Sequence, residues 1–598
     1  MSVQFNQIPG NLRVPFFWAE INPGQAPYQS NSRLLLFGQM TALGTATPNV
    51  PIQVTGSQAG LFGADSMLAA MYQVARDNAA FQEIWAMPLS DAGGATAATG
   101  SIALAAQAPI AAPDSVNLYV GGLRISTPVS TSMENIDIAN AIAAAVNGCP
   151  NMQATAAVTA GAAAHATVTY TLGPVGSAGV MPVVITTPNG AHAYSVPVGA
   201  SDSNSVIATN VAAAIPASSG VTATALSGAV TFTAVSNGVW GNSVFVSTNP
   251  TVIGTPVSTP LASGTNDVVT LTANNGGTIG NGIRIETRHN PGDGWLADTQ
   301  LVISQFSGGA GDPSITNAIA ALGDDLWDFI AFPYCQTTQL NQIEAWLQNR
   351  WSPNSMTYGL NFTALVGNTA GAATTFGLSR NSPYTFVMPM YNSPQPASIL
   401  AAAFAAQAAV NLQSPPDLSL PLQTLVLQDI LPPKAIGDRW TVPQRQSFYF
   451  SGIGGYTVSP AGEVMLDRVV STYTKDAYGN PDQAWLDVNT LAQLMYGVRF
   501  LRAFISQTYP RAALCNSNPN GLKNFVTVQD IHNALVHAYT QLVSLGVFDD
   551  AATFAQLLEV ERNKQDPNRI DTYIPVEGVN QLRIFASNVT SYLQYPTA

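Results

Sequence analysis

Five short apolar runs constrain this chain more than any other feature. They are Leu34–Phe37, Ile84–Met87, Phe329–Phe332, Leu360–Val366 and Tyr384–Met388. Runs of this length and composition suit strands of a parallel sheet buried on both faces. Helical patterns separate them. Asp65 opens one, with Met67, Leu68, Met71, Val74 and Ala75 on a single face. Asp312-Pro313 reads as an N-cap with Pro at the first helical position, leading Ile315, Ala318, Ile319 and Leu322 to a stop at Gly323. Leu340, Ile343 and Leu347 mark a third helix, and Ala397–Leu412 a fourth. The pattern predicts a doubly wound α/β core formed by residues 31–92 plus 301–510.

The core is interrupted. From about Gly93 to Asp298, Ala, Gly, Ser, Thr and Val dominate, and no charged residue lies between Asp137 and Asp202. Two units within this stretch resemble each other. Each has an Ala-rich helix (Ile138–Val146; Ile207–Ile215) followed by a Val/Thr hairpin (Thr167–Thr171; Val230–Thr233). The turn Gly238-Val-Trp-Gly241-Asn242 recurs as Gly277-Thr-Ile-Gly280-Asn281 before a strand. These features predict two β-rich or α+β modules, 93–180 and 181–300, inserted in one loop of the core. A C-terminal α+β unit, 511–598, follows the long helix near Val488–Ile505. In it, Thr527 and Asp530 form a capping box, and Ile531, Leu535, Ala538, Leu542 and Leu545 share one helix face.

Composition limits function. Charged residues make up 9% of the 598, against roughly 25% in average soluble proteins. Lys occurs only at positions 434, 475, 523 and 564, and the net charge is −13, so no basic stripe offers itself to nucleic acid. Such a weakly charged surface suits a subunit whose faces meet copies of itself. Cys149, Cys335 and Cys515 lie far apart and form neither a disulfide framework nor a zinc spacing. The N-terminus lacks the pattern of a secretory signal, and no apolar stretch reaches the length of a transmembrane helix. Assembly in a cytoplasm is expected.

The places where α/β enzymes keep their chemistry are poorly stocked. Beyond the strand ends the chain reads Gly38-Gln-Met-Thr41, Leu89-Ser-Asp91, Pro333-Tyr-Cys-Gln336, Gly367-Asn-Thr369 and Pro389-Met-Tyr-Asn392. These offer one carboxylate, one thiol and no His. No nucleophile elbow, Walker loop or His-Glu-x-x-His is present. His532 and His537 are five apart, the wrong spacing for a shared metal on a helix. Cys335 reads as a small core residue, and Asp324, Asp325 and Asp328 as a solvated loop. The Gly-rich stretch 276–282 reads as a turn rather than a phosphate cradle. No catalytic residue, cofactor or metal is expected.

The two ends of the chain have a different character. Residues 1–30 form an arm broken by Pro9, Pro15, Pro23 and Pro27, with Val14–Ile21 strand-like. At the other end, Asp566-Pro-Asn568 marks a turn, Arg569–Ile574 a strand, and Val579 to about Leu593 a second, two-sided strand. Each end segment has two readings. It is an edge strand of its own domain, or it pairs with a neighbouring subunit's sheet edge, because a free strand needs partners for its backbone groups.

Several stretches resemble the tail sheath proteins of contractile bacteriophages, the Mu-type sheath among them. They are Val14-Pro-Phe-Phe-Trp-Ala-Glu20, Phe62-Gly-Ala-Asp-Ser-Met-Leu-Ala-Ala-Met71, Gly308-Gly-Ala-Gly-Asp-Pro313 and Leu322-Gly-Asp-Asp-Leu-Trp-Asp-Phe-Ile-Ala-Phe-Pro-Tyr334. Arg350-Trp351, Asp566-Pro-Asn-Arg569 and Val579-Asn-Gln-Leu-Arg-Ile-Phe-Ala586 complete the set. The resemblance implies a core of subtilisin-like topology without a catalytic site. It implies a non-enzymatic virion subunit, assembled in the host bacterial cytoplasm into stacked hexameric rings around a tail tube, and contracting to drive that tube through the host envelope. Its partners would be copies of itself, the tail tube protein, and baseplate and tail terminator proteins, with no direct nucleic acid contact and no membrane insertion. It further implies strand exchange between subunits, through Val14, Phe16, Phe17, Trp18 and Ile21 at one end and Val579, Leu582, Ile584, Phe585 and Val589 at the other. A phage-related injection particle would use the same subunit. An extracellular adhesin would suit the Ala/Thr-rich modules, and a hydrolase the α/β core. The missing signal segment argues against the first and the missing motifs against the second.

Overall fold

The computed structural model describes residues 32–105, 113–170, 178–248, 257–293 and 301–593. The five apolar runs are strands of one six-stranded sheet, at Arg33–Gln39, Glu83–Leu89, Phe329–Ala331, Leu360–Val366 and Thr385–Met390. These five are mutually parallel, and the short strand Ile52–Gln53 joins the edge antiparallel to Glu83–Leu89. Arg33–Gln39 lies between Glu83–Leu89 and Phe329–Ala331, so the winding reverses there. Its residues Leu34 to Phe37 are 0% exposed, because helices cover both faces. On one face Leu35, Phe37, Ile330 and Phe332 pack with Leu340, Ile343 and Leu347 of the helix Thr337–Arg350. On the other, the helix Ala397–Leu412 buries thirteen of its sixteen residues, and Phe404 meets Phe362 edge-on at 5.0 Å. A helix apolar all round belongs in such an interior position.

Two helix starts differ from the sequence expectation. Ser66, not Asp65, caps the helix Met67–Asn78, accepting from Ala69 N at 3.1 Å. The helix after Asp312-Pro313 begins only at Thr316. Asp312 is engaged elsewhere, accepting from Thr278 N (2.6 Å) and Thr278 Oγ1 (2.7 Å).

The insert is a module within a module. One apolar cluster draws on residues 98–154 and 269–306, and a second on 164–261. The division at 180/181 read from sequence therefore does not follow the packing. The Val/Thr runs expected in separate hairpins also pair with each other, Val230 opposite Val168, in the sheet Val221–Leu226, Ala229–Ala234, His165–Thr169. The outer module carries the matching sheet of Ala154–Thr159, Asp267–Gly276, Ala97–Leu104 and Leu301–Ser307.

The helices correspond too. Ile138, Ala139, Ile142 and Val146 fill the outer core, and Ile207, Ala208, Val211 and Ile215 the inner one. The repeated Gly-x-x-Gly-Asn turn explains itself in both copies. Asn281 donates to the Gly309 carbonyl (2.9 Å) and accepts from Gly309 N (2.8 Å). Asn242 does the same to Gly264, at 3.1 and 2.8 Å. A Cβ on Gly309 would sit 2.4 Å from the Gly277 carbonyl oxygen, and one on Gly264 2.4 Å from that of Gly238, so each Asn clasps a Gly.

The C-terminal unit comprises, among the described residues, Ser414–Pro416 and Gln493–Asn580. The Thr527–Asp530 capping box opens its helix Val528–Ser544 as expected. Tyr539 of that helix stacks on Phe554 at 3.7 Å and on Phe548 at 5.3 Å. A hairpin of Glu559–Arg562 and Ile570–Tyr573 follows, turned by Asp566, which accepts from Asn568 N at 3.0 Å.

The ends of the inner module are bonded across Ala162 and Thr265, N to O at 3.1 Å and 2.9 Å in the two directions. Such a pair can be closed by a two-residue hairpin turn. A chain with Asn-Gly in place of residues 163–264 is expected to fold and keep a cooperative thermal melt followed by circular dichroism. Insoluble protein from that excision would show that the outer module cannot stand without the inner one.

Candidate functional site

The reversal of winding beside Arg33–Gln39 is where an open α/β sheet leaves a crevice for ligands. Here polar side chains close it. Tyr334, just past Phe329–Ala331, donates to Gln39 Oε1 at 3.2 Å across the crevice. Gln39, itself 0% exposed, donates through Nε2 to Asp91 Oδ1 (2.6 Å) and to the Gly276 carbonyl (2.7 Å). Asp91 Oδ2 accepts from Gly276 N at 2.7 Å. Asn275 of the insert accepts from Met67 N (2.9 Å), one of the orphan donors of a helix start, and donates to the Met40 carbonyl (3.0 Å) and Asp91 Oδ1 (3.1 Å). The one carboxylate near these strand ends thus anchors the insert.

A cavity of about 430 Å³ remains beside this clamp, lined by Asn281, Arg284, Gln336, Asn368 and Asn392 among others. Arg284 is its one charged lining residue, and it is paired with Glu286 (2.8 Å) and Asn392 (2.8 Å). Burial pushes the Cys335 thiol up to about 11, against the milder lowering influence of the Thr363 hydroxyl at 3.3 Å. Asp325 faces Arg33 at 3.6 Å, and Arg350 binds the Asp325 carbonyl at 2.5 Å, so that acidic loop is tied by its backbone. His537 is exposed and pairs with Gln541 (3.0 Å), and among the described residues no cluster could hold a metal ion.

The C-terminal segment is a stronger candidate. Within the C-terminal unit, a groove of about 680 Å³ runs between the helix residues Leu494, Val498, Leu501 and Ile505 and a wall formed by Ile570 and Thr572 of the strand Ile570–Tyr573 with Ile574 and Val576 just beyond it. The spacing is helical on one wall and alternates by two on the other, so each element turns a single face to the groove. The hairpin has only two strands, which leaves one edge of Ile570–Tyr573 without a ladder partner among the described residues.

Beyond the hairpin, Val579 donates to the Val547 carbonyl (3.3 Å) and accepts from Gln493 Nε2 (2.8 Å). The strand expected over 579–593 is absent. Among the described residues no strand ladder includes residues 580–593, and a lone strand does not persist without one. Leu582 (74%), Ile584 (78%), Phe585 (84%) and Val589 (86%) are exposed. Val14, Phe16, Phe17, Trp18 and Ile21 lie outside the described residues.

Two family models match this chain. The phage tail sheath protein central domain covers residues 308–472, and the phage tail sheath C-terminal domain covers 480–591, hairpin, groove and exposed tail included. The Mu-like prophage FluMu tail sheath protein of Haemophilus influenzae is 28% identical over 593 residues, spanning 98% of this chain and 99% of that protein. The chain is similar to phage tail sheath proteins over these two domains and along the length of that relative. Similar solved structures are sheath tail proteins from Desulfitobacterium hafniense (TM-score 0.41, 10% identity, 94% of this chain and 97% of that one) and Listeria innocua (TM-score 0.39, 10% identity, 92% and 93%). The sheath assignment rests on the sequence matches.

Sequence reading missed the groove, since its walls are distant in the chain, and it missed Arg583, whose side chain is only 13% exposed within the exposed tail. The signal was present as a lone Arg inside an apolar segment. Two outcomes follow from the clamp geometry. Asn275→Ala strips partners from the Met67 amide and the Met40 carbonyl, and should lower the unfolding free energy by about 3 kcal/mol in chemical denaturation. With its pKa raised from 9.0 to about 11, Cys335 should be only about 0.1% thiolate at pH 8. Iodoacetamide should leave it unmodified in the folded chain and label it once denatured.

Proposed function

We propose that this sheath subunit polymerises as stacked hexameric rings around a tail tube, and contracts to drive the tube through a host envelope. The observation that carries this is the pairing of an exposed apolar tail with an open apolar groove in one copy. The tail of one subunit would lie in the groove of the next and add to the free edge of Ile570–Tyr573. Four to six backbone hydrogen bonds at about 0.5–1.5 kcal/mol each would contribute several kcal/mol per donated strand before ordering costs. A contact that runs from each copy to the next without closing on itself generates a helical lattice.

The N-terminal arm, through Val14, Phe16, Phe17, Trp18 and Ile21, is proposed as the second connector. The α/β body would move as a nearly rigid unit of subtilisin-like topology without catalytic chemistry, while the arms stay paired and keep the mesh continuous. The extended packing would lie above the contracted one, with the difference summed over many subunits. The tail tube, baseplate and tail terminator would be its other partners, and assembly would take place in the host cytoplasm before the particle is complete. The closed crevice beside Gln39 and the high thiol pKa of Cys335 support the non-enzymatic reading. Among the described residues no helix is long and apolar enough to cross a membrane.

Negative-stain microscopy of two truncations tests the connectors. Chains lacking residues 584–598 or residues 1–24 should remain soluble and folded yet form no long sheaths. Normal sheaths from both would overturn strand exchange as the basis of assembly.

A further inference from the structure

Exposure along the tail is inverted relative to chemistry. Ile584, Phe585 and Val589 are at least 78% exposed, whereas the Arg583 side chain is 13% exposed. Its Nη2 lies 3.3 Å from Asp487 Oδ1, and donates to Asn489 Oδ1 (2.9 Å) and to Gln581 Oε1 (3.1 Å). Asp487 is itself fixed. Arg468 grips it through both carboxylate oxygens, at 3.1 and 2.9 Å. Asn489 is 0% exposed and donates to the Leu418 and Leu420 carbonyls at 2.9 and 2.8 Å. One carboxylate therefore serves two guanidiniums, in a socket whose every polar partner belongs to the α/β unit or the tail root. Burial lowers the Arg583 pKa, and Asp487 opposes that by favouring the charged form.

A chain end gains nothing by burying its one cation and exposing its apolar side chains, unless those side chains are to be covered by something else and the cation is to stay behind. We propose that Arg583 is a positioning residue, the fixed root of the donated segment, so that exchange with a second copy starts at Ile584 and not at Val579. This rests on the strand-exchange reading above. It shortens the exchanged part of the connector named from sequence. Val579 is bonded within its own C-terminal unit, and Leu582 lies on the near side of the root. Holding the root on the α/β unit would tie the donated strand to the motion of that unit during contraction.

Two proteases on the full chain test this. Trypsin needs the Arg583 side chain in its specificity pocket, so the bond Arg583–Ile584 should resist cleavage in the free wild-type protein. Asp487→Asn should speed that cut roughly ten- to a hundredfold, as expected for loss of a charge-assisted contact. Cleavage at the exposed Lys523 should not change. Arg583→Lys keeps a tryptic site but loses the planar fork. It should also be cut faster, and as a tail substitution it leaves the folded body intact. Chymotrypsin should cut after Phe585 in the free chain and fail to do so in polymerised sheaths, where Arg583 stays resistant. Unchanged tryptic rates in both variants would overturn the root. Phe585 remaining equally cleavable in the polymer would overturn strand exchange, and the root's role with it, even if Arg583 proved occluded in the free chain.

Discussion

The side-chain amide of Asn275 is the hub of the joint between the α/β sheet and its insert. Asn275 reaches from the end of an insert strand to the carbonyl of Met40 at the end of a sheet strand, and to the amide of Met67 at the start of a covering helix. Both groups would otherwise be unpaired in the interior, at a cost comparable to the hydrogen bonds themselves. Gln39, Tyr334 and Asp91 extend the same network across the point where the winding reverses. The crevice that would bind a ligand in an enzyme of this architecture is thereby used as a joint.

The surface follows a related logic. With 9% charged residues, copies of this chain can meet without desolvating many ions, and desolvation is what makes charged interfaces expensive. Several of the few charges that exist are spent inside one chain. Arg380 pairs with Glu344, Arg445 with Asp467, and Arg468 and Arg583 share Asp487. Large apolar side chains remain outside at the tail, and the groove of the C-terminal unit is lined mostly by apolar residues. The hydrophobic effect can then act between subunits with little electrostatic penalty.

The nested insert shows how a repeat can enlarge a protein without disturbing its joint. The inner module enters and leaves through the paired residues Ala162 and Thr265, and the outer module meets the sheet separately, around Asn275. Each module repeats the same solution, an Asn side chain clasping a distant Gly backbone beneath a small-residue turn.

Much of the fold was legible in the chain. Leu34–Phe37 and its counterparts read as buried strands because a sheet covered on both faces tolerates little else, and Thr527 with Asp530 read as a cap because the geometry is local. The turn repeat was visible as well, since Gly and Asn there answer to backbone constraints. Local pattern could not say that Thr167 and Val230 share a sheet, or that Asp312 would leave its helix to hold Thr278. Those outcomes depend on partners far away in sequence. The exposed apolar side chains of the tail were legible as a run of large hydrophobics, whereas the strand expected there joins no ladder among the described residues, because a ladder needs a second backbone alongside it. The groove and the Arg583 socket are the clearest products of tertiary structure. Each is assembled from segments that say nothing of one another until the chain brings them together.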